Sequence, residues 1–252
     1  MAVLEIDAGN SRIKWRVLEH EKTQRKTFLA NGAIAAAKEL GAIPGAFRKK
    51  LVELTDLDIK SIRVSNVRGK AFAGGLVEVC EQMFGAKPYF ARIDNNQNGI
   101  SSSYREPASM GIDRWLAMQA VYARSKSAAC IVDCGSAMTV DLLSAEGRHL
   151  GGFIVPGLQL MQSALHAGTA DLPLPSEQGY ALQPGVSTQE AIQNGSLNLL
   201  LALLERVRQY WAEDSQWYLC GGDASLLSSY IDWQHQLNPD LVLDGLQQVC
   251  RD

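Results

Sequence analysis

The chain has 252 residues, 46% hydrophobic and 20% charged, a composition that supports a packed core and excludes a charge-rich disordered segment. With 24 Lys+Arg against 27 Asp+Glu the net charge is −3, which argues against a nucleic-acid-binding surface, because that affinity comes from clustered basic residues. The stretch Met1 to Asp7 has no basic region, and no run reaches the ~18–20 apolar residues of a bilayer span, so the sequence predicts a soluble, cytoplasmic protein with no membrane or nucleic-acid partner.

In chain order, Val3 to Asp7 reads as a short apolar strand, Asp7-Ala8-Gly9-Asn10-Ser11 as a tight turn, and Ile13 to Leu18 as a second strand. Thr27 to Ala30 is a candidate third strand. The period then becomes helical over 33–54, broken by Gly41 and Pro44. Ile59 to Val67 is expected as a strand, Lys70 to Phe84 as a helix and Pro88 to Ile93 as a short strand. Asp94 to Met110, rich in Asn, Ser, Gly and Pro, reads as a connecting loop before a helix from Ile112 to Ala123.

The opening pattern then returns. Ile131 to Asp133 is a strand, Gly135 follows its aspartate by two residues as Gly9 follows Asp7, and Met138 to Leu143 and His149 to Val155 supply further strands. Helices are expected over Gly157 to His166 and Thr188 to Trp211, and a buried strand over Trp217 to Cys220 before Gly221-Gly222-Asp223. Because the two aspartates lie half a chain apart, the repeat predicts two tandem α/β units, 1–110 and 111–252, with a ligand cleft between them.

Five cysteines without a CxxC spacing read as structural thiols of a reducing compartment, and the scattered histidines 20, 149, 166 and 235 form no transition-metal motif. Each Asp-x-Gly turn is either an ordinary hairpin turn or one half of a nucleotide-triphosphate clamp. As a clamp, glycine lets backbone N–H groups approach phosphate oxygens, Asn10, Ser11, Ser136 and Thr139 add donors, Lys14 adds charge and the aspartates hold cations. Neither a Walker A loop nor a GxGxxG fingerprint is present. Asp113 either complements a helix dipole or orients an attacking hydroxyl, and Arg114 is either a solvated helix residue or the fork for a substrate carboxylate.

Taken together, Asp7 to Lys14, Gly111-Ile112-Asp113-Arg114-Trp115, Asp133 to Asp141, Gly151 to Gly157 and the segment 169–173 resemble type III pantothenate kinase. The resemblance implies the duplicated ribonuclease-H-like fold of the acetate-and-sugar-kinase/actin-like ATPase superfamily, here with a nucleotide cleft between its domains. It also implies ATP-dependent phosphorylation of pantothenate to 4'-phosphopantothenate, the first step of coenzyme A biosynthesis.

Carried over to this sequence, Asp7, Ala8, Gly9, Asn10, Ser11, Arg12, Ile13, Lys14 and Ser136 would bind ATP. Tyr104, Gly111, Ile112, Asp113, Arg114 and Thr188 would line the pantothenate pocket, with Asp113 as general base. Asp133 would sit at a monovalent-cation site (K+ or NH4+), and Asp7 would hold Mg2+ through water. A homodimer is implied. Ser11 and Ser136 stand where the family usually has Thr, which keeps the hydroxyl and loses a methyl. Alternatives on the same fold are a non-catalytic nucleotide-binding regulatory protein, a sugar kinase and a polyphosphatase.

Overall fold

Ala2-Val3-Leu4-Glu5-Ile6-Asp7-Ala8 forms β1 (Ala2–Ala8), buried along nearly its whole length, as expected of a central strand covered on both faces. In this computed structural model, residues 1–19, 27–36, 41–170, 172–174 and 179–250 are described. They divide into two compact units, one of Met1–Ile100, Tyr104–Arg124 and Asp240–Asp252, the other of Ser101–Ser103 and Ser125–Pro239. The expected boundary at residue 110 does not coincide with this division, which places Tyr104–Arg124 and Asp240–Asp252 with the first sheet.

In the first unit β1 pairs antiparallel with β2 (Arg12–Glu19), and β2 with β3 (Phe28–Ala35), while β4 (Ile59–Asn66) and β5 (Tyr89–Phe90) run parallel, giving the order β3-β2-β1-β4-β5. Strand side chains alternate between faces. Leu4, Ile6, Ile13, Trp15, Val17, Ile62 and Val64 form one core with Phe47 and Leu51 of α1 (Gly45–Glu53) and Phe72 and Leu76 of α2 (Lys70–Phe84). The opposite face carries Glu5 between Arg16 and Arg63, and it is contacted by α7 (Leu241–Val249). That helix packs through Leu243 and Leu246 with Leu116 of α3 (Ile112–Ser125). At Gly245 an added Cβ would lie 2.1 Å from the Leu116 carbonyl oxygen, so only glycine allows this approach.

Residues 33–35, expected from the sequence to be helical, instead belong to β3, whose Gly32 lies against the indole of Trp15 and whose exposure alternates with period two. Cross-strand packing overrides the helix propensity of its alanines. Of the remainder of that stretch, 37–40 lie outside the described residues.

The second unit repeats the plan. β6 (Ala129–Cys134), β7 (Ala137–Leu143) and β8 (His149–Pro156) are antiparallel, β9 (Gln216–Cys220) and β10 (Gln236–Leu237) are parallel, and the order is β8-β7-β6-β9-β10. Cys130, Val132, Met138, Val140 and Leu219 pack against Leu197, Leu200, Leu204 and Val207 of α5 (Thr188–Trp211). Ser187 caps α5, accepting from the Glu190 N–H, and Glu190 reaches back to the Val186 N–H, a reciprocal capping pair. α4 (Leu158–Gly168) and the short α6 (Ala224–Ser228) complete the unit. α6, β10 and α7 were not anticipated from the sequence, because each is nine residues or fewer and carries too little periodic pattern. All five cysteines are free and buried.

Candidate functional site

Asp7 and Asp133 occupy the same place in the two sheets. Each is the penultimate residue of the central strand and is partly buried. Asp7 lies in register between Lys14 on β2 and Ser65 on β4, and Asp133 between Thr139 on β7 and Cys220 on β9. The carbonyl after each aspartate is closed by the loop that follows the fourth strand: Val67 N–H donates to Ala8 O at 3.2 Å, and Asp223 N–H to Cys134 O at 2.9 Å. The duplication therefore extends from sequence to individual hydrogen bonds.

The turns themselves differ. In the first unit Gly9, Asn10 and Ser11 join β1 to β2, and in the second Gly135 and Ser136 join β6 to β7. At Gly9 a Cβ would meet the Arg12 carbonyl at 2.9 Å. Asn10, Ser11 and Arg12 are exposed, whereas the side chains of Ala8 and Ile13 are wholly buried in the core, so only their main chain can serve a ligand. Beneath this turn lies Arg68, 4% exposed, whose Nη1 donates to Gly9 O at 3.3 Å and Asn10 O at 3.0 Å. Its guanidinium stacks on the Phe72 ring at 5.2 Å, and desolvation lowers its pKa from the ordinary value. Sequence reasoning missed Arg68. The only signal was an arginine directly after a strand, which many surface loops share.

In the second unit the turn is wedged between glycines. Gly157 N–H donates to Ser136 O at 2.8 Å, and a Cβ on Gly157 would lie 2.2 Å from Gly135 O. Gly221, at φ +92°, leaves no room for a Cβ, which would fall 2.5 Å from the Asp133 carboxylate and from Cys134 O. Gly221, the first residue after β9, thus packs directly against the Asp133 turn.

Asp113 stands in the first turn of α3, where the helix dipole favours a carboxylate, and its Oδ1 accepts from the Arg114 N–H at 2.8 Å. Gly111 provides its space, since a Cβ there would be 2.5 Å from that oxygen. Arg114 is 6% exposed and donates from Nη1 to Tyr104 Oη at 2.7 Å, so it is a fixed group and not a solvated helix residue. Ile112, partly buried, packs against the α7 cluster. Thr188 is the exposed first residue of α5 in the second unit. Tyr104, Gly111, Asp113 and Arg114 are thus brought together in the first unit, while Asp133, Ser136 and Thr188 belong to the second. Of the 169–173 motif, residue 171 lies outside the described residues. Among the described residues, no three His, Cys, Asp or Glu side chains converge as a metal cage, and no helix is long and apolar enough to cross a membrane.

Two sheets of identical strand order, each ending its central strand in Asp-x-Gly, define a protein of the actin-like ATPase and sugar-kinase fold class. The fold is similar to that of the ethanolamine utilization protein EutJ from Carboxydothermus hydrogenoformans, with a TM-score of 0.54 at 13% identity, covering 99% of this chain and 90% of that one. It is also similar to a Listeria monocytogenes protein assigned as an N-acetylmannosamine kinase, with a TM-score of 0.51 at 12% identity, covering 98% and 97%. Within that class the chain belongs to the type III pantothenate kinase family, a family of phosphotransferases, whose model matches residues 3–210. The type III pantothenate kinase of Pseudomonas fluorescens strain Pf0-1 is 34% identical over 256 aligned positions, 98% of each chain.

Proposed function

We propose that this protein transfers the γ-phosphoryl group of ATP to the primary hydroxyl of pantothenate, yielding 4'-phosphopantothenate and ADP at the first step of coenzyme A biosynthesis. The observation that carries this reading is the family match over residues 3–210, which takes in every residue given a role below. The substrate hydroxyl oxygen forms a bond to the γ-phosphorus as the bond to the β–γ bridging oxygen breaks, and the hydroxyl proton passes to Asp113. Such a loose transition state asks mainly for alignment and charge neutralisation, with a carboxylate to hold the hydroxyl and take its proton late.

In this reading the Asp7–Lys14 turn binds the phosphates through backbone N–H groups, Asn10, Ser11 and Lys14, with Ser136 adding a hydroxyl. Arg114, held by Tyr104, offers its planar fork to the pantothenate carboxylate. Gly111, Ile112 and Thr188 complete the substrate-binding set. The donor set at Asp7, a carboxylate beside Ser65 with Lys14 opposite, fits Mg2+ held through water and substrate phosphates. Magnesium there would neutralise phosphate charge. Asp133, a partly buried carboxylate at the end of β6, is the hard-oxygen ligand suited to K+ or NH4+. The working form is a homodimer.

The test is ADP release from ATP with and without pantothenate. Release that depends on pantothenate supports the reading, and release indifferent to it points to an ATPase or a different acceptor. Repeating the assay in sodium, potassium and ammonium buffers tests the Asp133 site, where equal rates remove the monovalent cation.

A further inference from the structure

Arg68, buried beneath the turn, donates to two successive main-chain carbonyls, Gly9 O and Asn10 O, and stacks on Phe72. Those two hydrogen bonds fix the orientation of the peptide planes above it. No peptide bond in the described chain is cis, and in a trans peptide the C=O of one residue points opposite to the N–H of the next. With Gly9 O and Asn10 O both drawn to one nitrogen, the N–H groups of Asn10 and Ser11 are turned to the other side of the turn, away from Arg68. Successive N–H groups facing one way make an anion-binding concavity, as at a helix N-terminus.

We infer that Arg68 is a positioning residue for the nucleotide: by holding the Gly9 and Asn10 carbonyls it presets the Asn10 and Ser11 N–H groups to receive a phosphate. The inference rests on the reading of Gly9–Ser11 as the phosphate turn. Arg68 does not itself touch the phosphate, since its guanidinium is committed beneath the loop. Its positive charge lies at the oxygen end of both peptide dipoles, which strengthens their N–H ends as donors. Without it the two peptide units are free to rotate, and binding an anion must first order them, so the loss falls on ATP and not on pantothenate.

The second unit reaches a related end by different means. Gly157 N–H holds Ser136 O, with the main chain supplying the donor that Arg68 supplies in the first unit. The two-residue turn there needs one such donor, and the three-residue turn at Gly9 uses an arginine that reaches two carbonyls.

The experiment compares wild-type protein with Arg68→Lys and Arg68→Met in pantothenate-dependent ADP release, together with calorimetric binding of ADP and a thermal melt. The expected result for Arg68→Met is a rise in KM for ATP, and in Kd for ADP, on the order of tenfold, the effect of losing charge-assisted hydrogen bonds. KM for pantothenate and kcat at saturating ATP should stay at the wild-type values. Arg68→Lys, whose single ammonium keeps the charge, should recover part of the ATP affinity. Wild-type ATP parameters in both variants would overturn the inference, as would a parallel change of kcat and both KM values. Failure of both variants to fold would assign Arg68 to the framework alone and equally overturn it. A wild-type protein that binds ADP without phosphorylating pantothenate would instead overturn the proposed function, and the ADP affinities of the variants would still decide the role of Arg68.

Discussion

Arg16 on β2 donates from Nη1 to Oδ1 of Asp244 on α7 at 2.8 Å, joining residues 228 positions apart. The same guanidinium donates from Nε to Glu5 Oε2 at 2.7 Å, Arg63 reaches Glu5 Oε1 at 3.4 Å, and Asp244 turns its other oxygen to Arg124 on α3. Burial pushes the Glu5 carboxyl up from its ordinary value, and the guanidinium groups of Arg16 and Arg63 work against that push. This ionic row runs across β2, β1 and β4, two residues before the row that contains Asp7, and clasps both α7 and α3. The helix that carries Asp113 in its first turn is therefore anchored near its far end to the sheet that carries the Gly9–Ser11 turn.

Asp244→Asn should weaken this anchor. Arg16 stays buried with its charge while one of its two acidic partners becomes neutral, and Glu5 compensates in part. Breaking a buried pair on one side costs several kcal/mol, so a loss of about 2–4 kcal/mol is expected in urea unfolding. Arg124→Ala, at a 43% exposed side chain, should cost under about 1 kcal/mol. Equal losses in the two variants would deny Arg16 its special dependence on Asp244.

Asp113→Asn should leave the fold and pantothenate binding intact and lower kcat by about 10²–10³, the lower part of the range for a positioned base. The asparagine keeps an Oδ1 to accept from the Arg114 N–H, so the helix start is preserved. Measurements of kcat, calorimetry with pantothenate and a thermal melt check this together. A kcat near wild type would return Asp113 to a helix-dipole role.

Arg114→Lys is expected to raise KM for pantothenate far more than KM for ATP. Lysine keeps the charge but cannot present a planar fork while bonded to Tyr104 Oη. Steady-state kinetics with each substrate varied in turn is the check, and equal rises would move Arg114 from carboxylate recognition to phosphate binding or the fold.

Two glycine substitutions should act in opposite directions. In Gly157→Ala the new methyl falls 2.2 Å from Gly135 O and 2.9 Å from Ser136 O, both backbone atoms, so the Asp133 turn must shift at a cost of about 1–3 kcal/mol, with weaker ATP binding. In Gly195→Ala, on the exposed side of α5 with nothing within 4 Å, removing a helical glycine should add about 0.5–1 kcal/mol. Chemical denaturation of the pair reads both signs.

Burial pushes the Cys80 thiol up to about 12 and raises Cys130 and Cys134 as well, with nearby carboxylates adding to the effect on the latter two. The folded state holds a proton that the unfolded thiol releases above its ordinary 9.0. Stability from this source is therefore complete below that value and lost as pH rises toward the folded pKa. Unfolding free energies from about pH 8 to about pH 11 should fall, and a thiol reagent near neutral pH should modify these cysteines only after denaturation. Rapid modification of the native protein would contradict their burial.

Much of this protein is written locally. The paired Asp-x-Gly turns announced the duplication, and Lys70–Phe84 and Thr188–Trp211 match the expected helices because their apolar spacing and bounding glycine or serine are sequence-local signals. The placement of Asp7 and Asp133 at strand ends and of Asp113 at a helix start was legible for the same reason, whereas the roles proposed for them come from the resemblance to the family. Tertiary structure alone decided that residues 33–35 extend a sheet, that α7 returns to the first unit through Asp244, and that Arg68 lies under the Gly9–Asn10 carbonyls. These outcomes depend on partners far away in the chain: a strand edge offered by β2, an acceptor for a buried guanidinium, a carbonyl needing a donor. Such demands arise only when distant segments share a buried environment, where an unpaired polar group costs more than any local propensity can offset.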